Sequence, residues 1–400
     1  MKHYASSANW KSPAAFLMVM AAANAFSMAG WQALINNFAV SEASFTGADI
    51  GLLQSVREIP GFLAFTAIFL ILFMREQTLA IVALLFLGLG VAAAGFMPTL
   101  GGLLLTTLIS SAGFHYYETM NQSLALQWLP KAEAPAAMGR ILSVAASAQL
   151  VSYGAILIAS KALNLSYQTM FLYTGMVTIV LVALLATAFP RYKHEHVQHK
   201  KIILRPRYWL YYALVFMSGA RRQIFIVFAA FMMVEKFHYS VAAISALFLV
   251  NCAINMVLAP VIGRLIGRWG ERRAMGMEYA GLIVIFTAYA VVDNPWVAGL
   301  LYVLDHVFFA MQIAVKTYFQ KIGDARDMAG TAAVAFTINH IAAVFIPVLF
   351  GLMWLVSPAY VFLAGAAMAT VSLVLSRLVP HLPAAGNETI LVKPVPQAAE

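Results

Sequence analysis

Wound as a helix, residues 111–122 place Ser111, His115, Glu118 and Gln122 on one face. This polar stripe lies inside an apolar run, roughly 101–128, that is long enough to cross a bilayer. Glu118 is the natural candidate for a carboxyl group that takes up and releases a proton, with His115 and Gln122 as hydrogen-bonding neighbours for a solute. The run at roughly 296–320 repeats the pattern with Asp305, Phe309, Gln312 and Lys316. Asp305 is the second candidate proton carrier and Gln312 a candidate solute contact. Lys316, near the end of its run, reads as a cation that snorkels to the interface. A third run carries Ser218-Gly-Ala-Arg221-Arg222-Gln223. Neighbouring side chains on a helix diverge by about 100°, so the two arginines face different partners. One suits an anionic group on a solute or an acidic partner such as Asp305 or Glu118; the other pairs with protein. Guanidinium keeps its charge and forks onto carboxylate or phosphate. Glu278 reads as lying near the cytoplasmic edge of its run.

Three further sets fall in apolar runs. Trp31, Gln32 and Asn36, with Asn24 and Asn37, offer a ring for stacking and amides for neutral hydrogen bonds; the same amides serve equally well as glue between helices. Arg57 and Glu58 are adjacent, and on one helix they are expected to reach different neighbours, either in a gating ion pair or in static packing. Asn339 and His340 read as structural. A charge near the bilayer centre costs about 2.5–3.5 kcal/mol on insertion scales. Each ionisable residue here must therefore face protein or a hydrated path.

The elements that hold these residues follow from composition. The chain has 400 residues, 62% hydrophobic and only 10% charged, with mean hydropathy +0.83. Soluble domains are nearer half apolar and a quarter charged. These values exclude a soluble enzyme, a disordered chain, a secreted disulfide scaffold and an outer-membrane barrel. They predict an all-α membrane protein. Cys252 is the sole cysteine, so no internal disulfide forms, and no zinc or haem spacing occurs. Twelve apolar runs are predicted, at 12–40, 47–73, 78–98, 101–128, 139–160, 167–189, 208–234, 240–263, 274–292, 296–320, 330–354 and 359–379. The first exceeds a signal-peptide core and reads as a retained span. Pro60, Pro260 and Pro347 fall inside runs and are expected to kink them.

The net charge of +9 reads as topology, not as affinity for nucleic acid. Of the 25 Lys and Arg, Lys161 and Lys236 fall in outer loops, and Arg57, Arg221, Arg222 and Lys316 fall within spans. Every other one lies on a single side, which is therefore cytoplasmic, with both termini there. The longest polar stretch, Arg191 to Arg207, contains His194, His196 and His199 and reads as a hydrated basic connector facing anionic lipid. It divides the chain into a six-helix bundle (1–190), the connector (191–207), a second six-helix bundle (208–380) and a cytoplasmic tail (381–400).

The halves echo one another. Gln127-Trp-Leu-Pro-Lys followed by Gly139-Arg-Ile-Leu-Ser parallels Gln320-Lys-Ile-Gly-Asp followed by Gly330-Thr-Ala-Ala-Val, and Phe26–Gln32 parallels Phe216–Gln223. Between the eighth and ninth runs stands Gly263-Arg-Leu-Ile-Gly-Arg-Trp-Gly270-Glu-Arg272-Arg273. With this motif and architecture the chain resembles the major facilitator superfamily over nearly its whole length. Gly267 stands where the family motif has Asp, the first-half loop (Arg75-Glu76) has lost the motif, and the fifth run lacks the Gly-Pro element of similar drug exporters. The resemblance implies twelve transmembrane helices in two pseudo-symmetric bundles, a central cavity lined by the first, fourth, seventh and tenth helices, and a gating role for Gly263, Gly270, Arg272, Arg273 and the Arg57–Glu58 pair.

The expected function is secondary active transport of a small anionic organic solute by alternating access. Arg221 or Arg222 would hold the anion, with Trp31, Gln32, Asn36, His115, Gln122 and Gln312 completing the site, and Glu118 or Asp305 would carry a coupling proton. The expected partners are solute, protons and the inner (cytoplasmic) membrane around a monomer, with no cofactor, metal or nucleic acid. The alternative is proton-antiport efflux of a drug or metabolite. An intramembrane enzyme is disfavoured because His-Glu-x-x-His and Gly-x-Ser-x-Gly elements are missing from the sequence. No Gly-Lys-Ser/Thr phosphate loop is present either. The topology predicts that, in a Cys252→Ser background, single cysteines at Lys161 and Gln198 react with an impermeant maleimide from opposite sides of the membrane. Labelling from one side would refute the orientation.

Overall fold

The computed structural model describes residues 10–129, 134–192, 204–323 and 328–391. In chain order they form α1 (Pro13–Ala43), α2 (Gly47–Phe62), α3 (Ala67–Leu70), α4 (Glu76–Ala94), α5 (Leu100–Trp128), α6 (Ala134–Lys161), α7 (Tyr167–Ala188), α8 (Trp209–Gln223), α9 (Ala230–Glu235), α10 (Val241–Trp269), α11 (Glu271–Val291), α12 (Pro295–Phe309), α13 (Ile313–Ile322), α14 (Met328–Val356) and α15 (Pro358–Arg377). Helix starts follow local chemistry. The hydroxyls of Ser12, Thr99 and Ser166 accept from the first-turn amides of α1, α5 and α7, and Asn294 Oδ1 does so for α12. Proline occupies the first turn of α1, α12 and α15, where its missing N–H costs nothing. The basic connector with its three histidines falls mostly within 193–203, outside the described residues.

Among the described residues, ten helical segments are long and apolar enough to cross a membrane. The chain is an all-helical, multi-pass membrane protein. Runs 47–73 and 101–128 of the twelve predicted are not among these ten. Run 101–128 nevertheless forms one 29-residue helix, α5, carrying the His115–Gln122 stripe. Run 47–73 is not one continuous helix: α2 ends at Phe62, a 3-10 turn covers Ala64–Thr66, and α3 has only four residues. Pro60, which lacks a donor, and Gly61 weaken the α ladder there. Pro347, by contrast, is accommodated inside the continuous α14. The eighth run overshoots its predicted end, since α10 continues to Trp269 and takes in Gly263 and Gly267.

Two breaks in helical pitch were not foreseen. Ile224–Ala229 is a π-helical segment joining α8 to α9, and Ala310–Gln312 is a 3-10 turn joining α12 to α13.

The chain forms two compact units. The first comprises 1–45, 56–198 and 239–249; the second comprises 46–55, 199–238 and 250–400. These differ from the predicted bundles by the exchanged segments 46–55 and 239–249. In the first unit, Asn37 Nδ2 donates to the Tyr239 carbonyl at 2.6 Å. In the second, Gly47 and Gly51 pack on Trp354 and Pro347 of α14.

Each unit is built with the same pairings. In the first, α1 packs on α6 and α7, and α4 packs on α5 and α7. In the second, α8 packs on α14 and α15, and α11 packs on α12 and α15. The sequence repeat is thus a repeat of helix contacts. Because lipid tails are as apolar as leucine, the contacts rely on close backbone approach and on hydrogen bonds of about 0.6 kcal/mol each. Ser152 Oγ donates to the Phe26 carbonyl at 2.8 Å and Thr178 Oγ1 to that of Ala23 at 2.9 Å, both across onto α1. A Cβ on Gly113 would overlap the Ala83 carbonyl and the Leu87 amide of α4, whereas one on Gly154 would meet nothing within 4 Å. Gly113→Ala should therefore cost about 1–3 kcal/mol through overpacking and lower the melting temperature in detergent, while Gly154→Ala leaves it unchanged. Equal melting of the two variants would contradict this packing.

Candidate functional site

The second unit buries a set of charges. α8 supplies Arg221, α11 supplies Glu278 and α12 supplies Asp305, and all three are 0% exposed. The close α8–α14 approach, in which a side chain on Gly219 would strike Asn339, and the α11–α12 and α8–α15 contacts bring these helices together. Arg221 Nη2 stands 3.5 Å from Glu278 Oε1. The guanidinium carbon sits 4.4 Å from the centroid of the buried Tyr279 ring, in cation–π contact. Asp305 lies within electrostatic reach of both Arg221 and Glu278, and among the described residues its two carboxylate oxygens have no hydrogen-bond partner. The Glu278 oxygens likewise accept no hydrogen bond among the described residues. One cation thus stands against two carboxyl groups. With both ionised the set carries a net charge of about −1, and a buried charge without compensation is strongly disfavoured.

From the sequence, Glu278 reads as lying near the cytoplasmic edge, and one of the two arginines takes Asp305 or Glu118 as an acidic partner. The structure adds Glu278 to this set, since Asp305 does lie within electrostatic reach of Arg221. α11 begins at Glu271 rather than near 274, which puts Glu278 about 10 Å along the helix, and Glu278 is the ion-pair partner of Arg221. Its signal in the sequence was a carboxylate about one turn inside the apolar run 274–292.

Arg222 points away from this set and is exposed, in keeping with the angular divergence of neighbours on a helix. It acts electrostatically on His306, whose Nδ1 lies 2.9 Å from the Tyr302 carbonyl. Gln312 Nε2 donates to Ser218 Oγ. The predicted stripe of Asp305, Phe309, Gln312 and Lys316 does not share one environment: Asp305 is buried, Phe309 and Gln312 are half-buried and Lys316 is exposed. The 3-10 turn at Ala310–Gln312 changes the pitch between them.

In the first unit, Arg57 Nη2 pairs with Glu58 Oε1 on α2. Adjacent charges were expected to reach different neighbours; instead the long arginine folds back onto the nearest anion, because leaving either charge alone in a span costs more. The Arg57 guanidinium also lies over the Trp31 ring, 5.9 Å from its centroid. Ser111 Oγ donates to the Arg57 carbonyl. A Glu58 carboxylate oxygen and a ring nitrogen of His115 lie within 4.8 Å of each other. Along α5, Ser111 and His115 are buried, Glu118 is half-buried and Gln122 is exposed. Trp31 and Asn36 are buried and Gln32 half-buried on α1. Arg57, Glu58, Trp31, Ser111 and His115 thus form one neighbourhood.

The glycine-rich motif is mostly helical and not a loop. Only Gly270, at φ +79°, breaks the chain between α10 and α11. A left-handed φ of this kind suits glycine. Glu271 beside it binds Lys321 of α13, with Nζ 2.7 Å from Oε1 and 2.9 Å from Oε2. Arg272 is half-buried, and Arg273 and Gly263 are exposed.

The model of the Major Facilitator Superfamily matches residues 12–347. No curated protein matches the sequence. Among solved structures, a point mutant of the nucleoside transporter NupG is similar at TM-score 0.74 and 14% identity, covering 91% of this chain and 99% of its own. A bacterial homolog of the human lysosomal transporter Spinster, inward-facing and occupied, is similar at TM-score 0.72 and 13% identity, covering 91% and 95%. An auto-inhibited POT family peptide transporter is similar at TM-score 0.69 and 12% identity, covering 91% and 96%.

If Arg221 holds the buried set together, Arg221→Gln should cost about 3–5 kcal/mol, read as a lower melting temperature. Arg221→Gln with Glu278→Gln should recover part of the loss. A single variant as stable as the parent would contradict the arrangement.

Proposed function

The chain belongs to the Major Facilitator Superfamily, and we propose that within it this protein is a secondary active transporter of a small anionic organic solute, driven by protons through alternating access. The observation that carries the reading is the buried trio of Arg221, Glu278 and Asp305, with one cation against two carboxyl groups. Uptake of one proton makes the trio neutral; its loss restores a charge that burial disfavours. A conformation that hydrates the trio favours proton release, and one that keeps it dry favours proton binding, so the proton shifts the balance between conformations. Asp305, whose oxygens have no hydrogen-bond partner among the described residues, is the proton carrier, and Glu278 neutralises Arg221. This assigns Arg221 to coupling and leaves anion binding to Arg222. The half-buried Glu118 is a second carboxyl on the transport path.

The anionic character of the solute is supported by Arg222 and Lys316, both exposed on helices of the second unit. A charged side chain in a span faces the bundle interior or a hydrated cavity rather than hydrocarbon. Gln312, Gln122, Gln32, Asn36, Trp31 and His115 supply the remaining polar and ring contacts of the proposed path. Arg57–Glu58 and the Gly263–Arg273 segment serve in gating. The reading includes twelve spans in two six-helix bundles, both termini cytoplasmic, and a monomer in the inner membrane.

The test uses protein in liposomes loaded with a pH-sensitive dye. Aliphatic and aromatic dicarboxylates and phosphate esters, which do not cross lipid unaided, are added in turn. At least one should drive proton movement, and Asp305→Asn should lower that movement by roughly tenfold or more, the scale of a 1–3 kcal/mol coupling, while the same compound still raises the variant's melting temperature. Failure of every anion to move protons, or undiminished movement in Asp305→Asn, would overturn the reading.

A further inference from the structure

Two helices of the second unit lose regular pitch at the level of the arginines. The π segment Ile224–Ala229 begins two residues after Arg222, and the 3-10 turn Ala310–Gln312 begins four residues after His306. π segments within α-helices frequently mark functional sites, because the extra residue rotates side chains out of the register the helix would give them. Here the changed pitch assembles aromatic rings. Phe225, in the π segment, stands edge-on to His306 at 4.9 Å and to Phe309 at 4.6 Å between centroids. His306 tilts onto Tyr302 at 4.4 Å. Phe225 is buried and serves as backing, while His306 and Phe309 remain half-buried. Beside them stand the exposed Arg222, acting electrostatically on the His306 ring, and the half-buried Gln312 held by Ser218.

The combination is specific in kind. A carbonyl only accepts, so His306 Nδ1 carries the hydrogen toward Tyr302, and Nε2 of the neutral ring is an acceptor. The surface therefore offers a guanidinium fork for an anion, ring faces and edges for a flat apolar body, and one ring-nitrogen acceptor. Ring contacts of this kind prefer another π system to an aliphatic group of equal size.

We propose that this surface is the specificity site for the solute, and that it selects aromatic anions: a planar ring bearing a carboxylate or phosphate-type group, the anion on Arg222 and the ring against Phe309 and His306. The inference rests on the transport reading above and names its substrate class.

The experiment is ligand-observed NMR, with thermal shift alongside, on protein in lipid nanodiscs. The probes are benzoate, phenylphosphonate, cyclohexanecarboxylate and benzamide. The two aromatic anions should bind about tenfold more tightly than the saturated anion or the neutral amide, and the stronger of the two identifies the acid group. Arg222→Gln should abolish the preference for benzoate over benzamide, with Arg222→Lys restoring part of it. Phe309→Leu, which keeps an apolar side chain in place, should abolish the preference for benzoate over cyclohexanecarboxylate. Melting curves of the unliganded variants verify folding. Equal binding of saturated and aromatic anions, no binding of either aromatic anion, or selectivity unchanged in folded variants would each overturn the proposal. Proton-driven flux of a non-aromatic dicarboxylate beside such a result would leave the transport reading standing and remove only this substrate class.

Discussion

An ion stripped of water inside a bilayer-length helix must find its opposite within the protein or stay hydrated. That constraint organises this molecule. In the second unit it draws α8, α11 and α12 together around Arg221, Glu278 and Asp305, and it sets Tyr279 as a ring under the guanidinium. Replacing the three by apolar residues would fill the same space without the electrostatic cost. Retaining them makes sense where the charge imbalance is used, and an imbalance of one carboxyl group is what a single proton corrects.

The two units show how little of this chemistry the fold itself demands. Their principal helix pairings match, yet their ionic content differs. The first unit balances Arg57 with Glu58 on the same helix, a neutral pair. The second holds one cation against two acids, and its helices carry the π segment Ile224–Ala229 and the 3-10 turn Ala310–Gln312. Similarity to a nucleoside transporter, a Spinster homolog and a peptide transporter at comparable TM-scores makes the same point, since one scaffold hosts unlike solutes and function resides in grafted side chains.

Much of the architecture was legible in the sequence because hydropathy is a strong signal and lipid admits few solutions. The helical class, the repeat and the divergence of Arg221 from Arg222 all follow from spacing alone. The exact bounds of runs did not, and one such error mattered. Starting α11 three residues late put Glu278 at the edge and hid the partner of Arg221. The Arg57–Glu58 pair was misjudged because a helix-wheel argument treats side chains as radial spokes, whereas an arginine is long enough to bend back. The π segment and the 3-10 turn had no mark in the sequence. Pitch changes of this kind depend on packing between helices, and the periodicity of one helix does not record them.

The claim at the centre is that the buried trio holds an exchangeable proton. Infrared titration of the purified protein reads it directly, since a protonated carboxylic acid in a dry setting has a C=O stretch distinct from that of carboxylate. The account predicts a carboxylic acid band that disappears as pH rises and is missing in Asp305→Asn. A band that is absent throughout in the parent protein, or that survives unchanged in that variant, would contradict it.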